Sequence, residues 1–123
     1  MLTPIAYGLA VLLNLFVLYI GCWFLLAPRT AAAGYGVPAR AEGDPAYLTV
    51  KGLRDAGYGL TGLGLLAFAG AEAGAWFMLL VALVPLSDVF VVLRHGGTRA
   101  VAFGVHFATA VAVLGSAALL FAV

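Results

Sequence analysis

The feature that most constrains this chain is a series of four apolar stretches, at residues 5–27, 46–69, 75–93 and 100–122. A helix that crosses the hydrocarbon core of a bilayer needs about 20 predominantly apolar residues. Hydrophobic residues make up 65% of the 123 residues and charged residues only 9%, so the chain lacks the polar surface of a water-soluble domain. The sequence therefore predicts an all-α integral membrane four-helix bundle that forms a single domain over residues 1–123.

The arginines between the stretches predict the orientation of this bundle. Arg29 and Arg40 lie in the first connection, Arg94 and Arg99 flank the third, and the charged residue of the second connection is Glu72. Lys and Arg favour the cytoplasmic ends of transmembrane helices. Connections one and three are therefore expected to be cytoplasmic, with the N and C termini together on the outer side. The expected location is the inner (plasma) membrane of a bacterium.

Ionisable residues occur at a similar depth in three of the four stretches. They are Lys51, Arg54, Asp55, Asp88 and His106. At about 1.5 Å of rise per residue, these groups lie roughly 5–13 Å below the predicted cytoplasmic surface. A charge that faces lipid costs at least about 2.5–3.5 kcal/mol. The charged side chains are therefore expected to face inward and to pair.

The spacing suggests which side chains form the pairs. Lys51 and Asp55 are four residues apart, so they are neighbours on one helical face. Asp88 is the expected partner of Arg54, because a guanidinium can hold a carboxylate with two hydrogen bonds. Pro85 lacks an amide proton, so it should bend the third helix beside Asp88.

Two further observations suggest a binding site around these charges. Tyr47 and Tyr58 extend the charged face of the second stretch by one turn in each direction. Asn14 lies slightly deeper, midway along the first stretch. We expect Asn14, Tyr58, Lys51 and Tyr47 to contact a substrate.

Cys22 is the only cysteine, and no pattern of metal ligands accompanies it, so neither a metal nor another cofactor is expected.

Several segments together resemble a known family. They are GCWFLLAPRTAAAGYGVP, YLTVKGLRDAGYGL, LVPLSDV and FGVHFATA. In this order they resemble a family of small four-helix membrane proteins that carry a domain of unknown function, similar in outline to the DoxX-like proteins. The resemblance covers most of the chain and implies the four-helix architecture. Its most specific positions are Gly52, Leu53, Arg54, Asp55, Asp88 and His106.

These residues favour an enzyme that acts on a lipophilic small molecule entering from the membrane. Two carboxylates with an arginine between them suit general acid–base chemistry, such as epoxide opening or hydrolysis, cyclisation or isomerisation. The expected catalytic residues are Asp55, Asp88, Arg54 and His106. Asp55 and Asp88 are expected to be the acid and the base, in an order that the sequence leaves open.

Two other classes of function remain open. A proton-coupled small transporter or channel would use the same ionisable residues as a relay, although the outer half of the bundle offers few polar groups. A structural or partner-binding membrane subunit would use them as a buried ion-pair network.

Membrane lipid is an expected partner, and nucleic acid is not, because a net charge of +1 offers no basic surface. Gly104, Ala108, Ala112 and Ser116 recur every four residues, which could support a homodimer.

Overall fold

The computed structural model describes residues 1–40, 43 and 45–123, and this part of the chain is helical with short connections. The elements are α1 (Leu2–Leu26), α2 (Pro28–Tyr35), α3 (Pro45–Phe68), α4 (Gly70–Val81), α5 (Leu83–Arg94), α6 (Arg99–Val101), a π-helical segment (Ala102–Phe107) and α7 (Ala108–Phe121). Three helical spans are long and apolar enough to cross a membrane, namely Leu2–Leu26, Gly70–Arg94 and Arg99–Phe121. Helix α3 has a similar length of 24 residues but contains three charged side chains.

Two segments that the sequence suggested were connections are partly helical. Within the described part of the first connection, α2 begins with Pro28 in its first turn and is followed by Gly36, which has a φ of 106°. Proline fits the first turn of a helix and glycine fits the left-handed residue that follows the last turn. The small residues of GAEAG open α4, so the chain reverses at Ala69 rather than within that segment.

Glycines on α3 allow it to pack closely against α1. A Cβ atom added at Gly62 would overlap the side chain of Asn14, and one added at Gly59 would lie 2.6 Å from the Asn14 carbonyl oxygen. The Asn14 amide donates to the Ala10 carbonyl at 2.8 Å and points at the Met78 sulfur at 3.5 Å. Asn14 is therefore held in place by its own helix, by α3 and by α4.

A cluster of buried apolar residues joins α1, α3, α4 and α7, and we call this region the closed half. Its buried apolar residues are Ala6, Ala10, Leu66, Ala75, Met78, Ala82, Val113, Ala117 and Leu120. Most of them are small, which lets helix backbones approach each other. The outer surface remains apolar, with exposed residues such as Leu12, Leu60 and Phe90, as expected for a surface in contact with lipid.

Two irregularities interrupt the long helices in the other half of the molecule. Helix α4 ends at Val81, and α5 begins at Leu83. Pro85 explains this break, because it cannot donate a hydrogen bond to the carbonyl of the preceding turn. The second irregularity is the π-helical segment, which contains His106. Single π-helical turns are uncommon and often occur at functional sites.

Candidate functional site

A cavity of about 400 Å³ lies between α1, α2, α3, α5 and the π-helical segment, and it extends to α4 and α7. Its walls are mainly aliphatic and aromatic; the aromatic lining residues are Phe16, Tyr19, Trp23, Phe24, Tyr35, Tyr58 and Phe77. Pockets for small organic ligands usually have volumes of about 300–1,000 Å³ and mostly apolar walls. The size and the lining of this cavity therefore suit a lipophilic small molecule.

Five polar side chains line the end of the cavity near α2, and we call them the polar cluster. They are Tyr35, Lys51, Asp55, Asp88 and His106. They come from α2, α3, α5 and the π-helical segment. Residues from four separate elements thus converge on one apolar cavity.

Tyr35 connects α2 to α5. Its hydroxyl donates a hydrogen bond to Oδ1 of Asp88 at 2.6 Å. Burial raises the pKa of Tyr35 well above its ordinary value; the hydrogen bond to Asp88 and the negative charges of Asp88 and Asp55 raise the pKa further. The Tyr35 hydroxyl therefore stays protonated and remains a donor over the whole physiological pH range.

The backbone of Tyr35 also fixes the ring of His106. Nε2 of His106 lies 2.7 Å from the Tyr35 carbonyl oxygen. A carbonyl only accepts hydrogen bonds, so Nε2 carries a proton and Nδ1 of the neutral ring has a free lone pair. Nδ1 lies 3.7 Å from Oδ2 of Asp88. A proton taken up at Nδ1 would thus be stabilised by the neighbouring carboxylate.

Lys51 and Asp55 form the other part of the polar cluster. Nζ of Lys51 donates to Oδ2 of Asp55 at 2.8 Å, as their spacing on α3 predicts. The same ammonium lies over the ring of Phe24 at 4.7 Å and over the ring of Tyr35 at 4.9 Å from the ring centres. The carboxylate of Asp55 is buried, whereas the side chain of Lys51 is 29% exposed.

The predicted ion pair between Arg54 and Asp88 is wrong. Arg54 is exposed, and among the described residues it has no ion-pair partner within 4.0 Å. Asp88 instead accepts a hydrogen bond from the hydroxyl of Tyr35. The expectation that every charged side chain faces inward failed because a long arginine side chain can run along its helix and reach polar headgroups.

Six of the eight predicted site residues line the cavity. They are Asn14, Lys51, Asp55, Tyr58, Asp88 and His106. Arg54 does not line the cavity, and Tyr47, whose exposed fraction is 76%, does not line it either. The amide of Asn14 already contacts Ala10 and Met78, so its position also has a packing explanation. The catalytic and substrate-binding roles of all eight residues stay predictions.

Tyr35 is the central residue that the sequence did not predict. It lies in GYGVP, which the sequence suggested was part of a connection between helices. Gly36, directly after it, was an available signal: a glycine at a helix end suggests a defined turn that fixes the preceding side chain. In the structure a Cβ atom at Gly36 would contact Val92 and Val101, so the turn packs against α5 and α6.

The arrangement can hold and move protons beside an apolar ligand. Asp88 and His106 combine a carboxylate with an imidazole, the side chain that ordinarily gains and loses a proton near neutral pH. Tyr35 orients both residues, through its hydroxyl and through its carbonyl. Within the described residues no three His, Cys, Asp or Glu side chains are grouped as a metal site would require.

The comparisons with known proteins identify a family but no activity. The family model of a domain of unknown function (DUF4267) matches residues 14–120. Comparison with curated proteins and with solved structures finds no match. The matched range includes every residue of the polar cluster.

Proposed function

The chain belongs to the DUF4267 family, and we propose that it is a membrane-embedded enzyme that converts a lipophilic small molecule by general acid–base chemistry. The reaction class is epoxide opening or hydrolysis, cyclisation or isomerisation. The observation that carries the proposal is the joining of a 400 Å³ apolar cavity to the polar cluster. An ion-pair network with a purely structural role would not need such a space beside it.

The proposed site lies within four transmembrane helices. Three of them are the apolar spans of the structure. The fourth is α3, whose Lys51 and Asp55 line the cavity and whose glycine face packs on α1. The distribution of arginines supports an orientation with both termini outside, in the plasma membrane of a bacterium. Reporter enzymes fused to each terminus test this orientation, because activity on the cytoplasmic side would contradict it.

The proposed acid–base pair is His106 with Asp88. Nδ1 of His106 accepts a proton from the substrate or returns one to it, and Asp88, 3.7 Å away, stabilises the protonated ring. Tyr35 holds the ring through its carbonyl and holds Asp88 through its hydroxyl.

Asp55, fixed by Lys51, supplies the second carboxylate. Tyr58 lines the same cavity and contacts the bound molecule. Arg54, which lies outside the cavity, has no catalytic role in this proposal.

The test is a comparison of lipophilic extracts from cells that produce the wild-type protein, Asp88→Asn or Arg54→Gln. Untargeted mass spectrometry should find a compound that accumulates in the Asp88→Asn cells together with a related compound that disappears. The Arg54→Gln extract should match the wild type, because Arg54 does not contact the cavity. Both variants must reach similar levels in the membrane for the comparison to count.

The same experiment separates the enzyme from the two other functions. A transporter would leave every compound chemically unchanged and would alter only its distribution between cells and medium. A structural subunit would give identical extracts from all three strains. Either result would contradict the proposed activity.

A further inference from the structure

In the polar cluster the hydrogen-bond donors have partners, whereas several acceptor atoms have none. Each donor group already has a partner: the hydroxyl of Tyr35 donates to Asp88, and Nε2 of His106 donates to a carbonyl. The ammonium of Lys51 donates one hydrogen bond to Asp55 and lies over two aromatic rings. Three acceptor atoms remain without a hydrogen bond from any residue in the described part of the chain. They are Oδ1 of Asp55, Oδ2 of Asp88 and Nδ1 of His106. A ligand that supplies donors would therefore complete the cluster.

The charges of the polar cluster are also unequal. Lys51 is the only cationic side chain among the described residues that line the cavity, apart from the titratable His106, whereas Asp55 and Asp88 are both carboxylates. The ammonium of Lys51 is paired with Asp55. With His106 neutral, Asp88 leaves one negative charge in excess beside apolar walls. Charges act strongly in such surroundings because little water screens them.

The aromatic walls favour the same kind of ligand. The faces of aromatic rings attract cations within about 6 Å of the ring centre, and Lys51 already occupies two such positions, over Phe24 and Tyr35. Trp23 and Tyr58 add aromatic surface to the lining. The cavity therefore combines free acceptors, an excess negative charge and aromatic rings.

We propose that the cavity selects a lipophilic molecule with a cationic head, an alkylammonium group, which lies against Asp88 and His106 while the apolar tail extends toward Val17 and Phe77. This inference rests on the proposed function and deepens it, because it names the class of substrate. The ammonium supplies the missing donors and balances the charge. The tail occupies the apolar part of the cavity.

The test measures binding of three probes with the same tail: decylamine, decanol and decanoate. The protein is placed in nanodiscs of phosphatidylcholine, which has no net charge, so that the bilayer itself does not concentrate the cation. Wild-type protein should bind decylamine at least about tenfold more tightly than decanol, which corresponds to about 1.4 kcal/mol, and decanoate most weakly. Asp88→Asn should reduce the affinity for decylamine to that for decanol, and Arg54→Gln should keep the wild-type preference.

A second variant keeps the inference testable if Asp88→Asn does not fold. Val17→Trp places a large ring in the cavity from α1, a helix that contributes no residue to the polar cluster, so decylamine binding should be lost. Equal binding of decylamine and decanol by the wild type would overturn the inference and leave the proposed function standing. Absence of binding by all three probes, or binding of decylamine that Val17→Trp does not change, would also overturn it. Failure of the extract experiment with decylamine preference retained would reject the reaction but not the cationic ligand.

Discussion

The two halves of this protein use the same helices for different purposes. In the closed half, small residues bring α1, α3, α4 and α7 together, and Asn14 is clasped against Gly62. In the other half, which we call the open half, α1 and α3 instead line the cavity and the polar cluster together with α2, α5 and the π-helical segment. The ionisable residues of the polar cluster thus lie where packing leaves a cavity. Buried charges add little stability compared with apolar packing, so their place beside a cavity favours a binding role.

Breaking the closed half should have the largest effect on stability. Gly62→Ala forces a Cβ atom into the side chain of Asn14 and should destabilise the protein by about 3 kcal/mol, at the upper end of typical overpacking. Gly64→Ala on the same helix is the control, because nothing lies within 4 Å of its added Cβ. Alanine is the better helix former, so this control should not lower the melting temperature in detergent. Equal melting temperatures for the two variants would contradict the close packing of α1 and α3.

Breaking an ion pair of the open half should have a smaller effect. Lys51→Met leaves the buried carboxylate of Asp55 without its donor and should destabilise the protein by about 1–3 kcal/mol. This value is below that for a fully buried pair, because the side chain of Lys51 is 29% exposed and partly exposed ion pairs contribute less. Arg54→Met is the matched control on α3 and should change stability by less than about 0.5 kcal/mol. A larger loss for Arg54→Met than for Lys51→Met would show that the pairing on α3 differs from that described.

Loss of the Tyr35 hydroxyl should cost less again. Tyr35→Phe removes one hydrogen bond to a partly buried carboxylate, which corresponds to about 1 kcal/mol. The ring and the carbonyl that holds His106 remain, so the structure should stay intact. Tyr47→Phe, at an exposed tyrosine, is the control for chemical denaturation. An equal loss of stability in Tyr35→Phe and Tyr47→Phe would contradict the hydrogen bond between Tyr35 and Asp88.

The pH dependence of Tyr35 should give the smallest difference. Because the folded-state pKa of Tyr35 is raised above its ordinary value of 10.0, its hydroxyl should not ionise in folded protein at about pH 11. The stability that it contributes is present below the unfolded pKa and declines as the pH rises above that value. Tyr35→Phe should therefore leave the ultraviolet absorbance of tyrosinate in folded protein unchanged at that pH. A decrease equivalent to one of the five tyrosines would contradict the burial of this hydroxyl.

The sequence predicted the regular parts of the molecule well for a physical reason. Apolar length and helical spacing are local properties, so they indicated long apolar helices and the pair of Lys51 with Asp55. The bend near Pro85 has the same local origin. The family was also recognisable from its motifs, whereas similarity to DoxX-like proteins has no support from the comparisons.

The predictions that failed concern features that depend on how each helix is rotated about its axis and packed against its neighbours. Arg54 is only about 100° around the helix from Asp55, and the packing of α3 on α1 decides that one faces the cavity and the other does not. Tyr35 was missed because its role depends on α2 placing its last residue against Asp88 of α5 and His106 of the π-helical segment. The small-residue face divides in a similar way: Gly104 and Ala108 are exposed, whereas Ser116 is fully buried. A homodimer through this face stays a prediction.

The most direct test of the central claim is whether the cavity holds a lipophilic molecule. Native mass spectrometry of protein purified in mild detergent should show a bound small molecule on the wild type. Val17→Trp, which places a large ring in the cavity, should remove it. Leu12→Trp, at a residue that is 66% exposed and outside the cavity lining, should retain it. Loss of the added mass in Val17→Trp alone is the predicted result. A wild-type protein with no bound molecule, or the same added mass on all three proteins, would contradict the account.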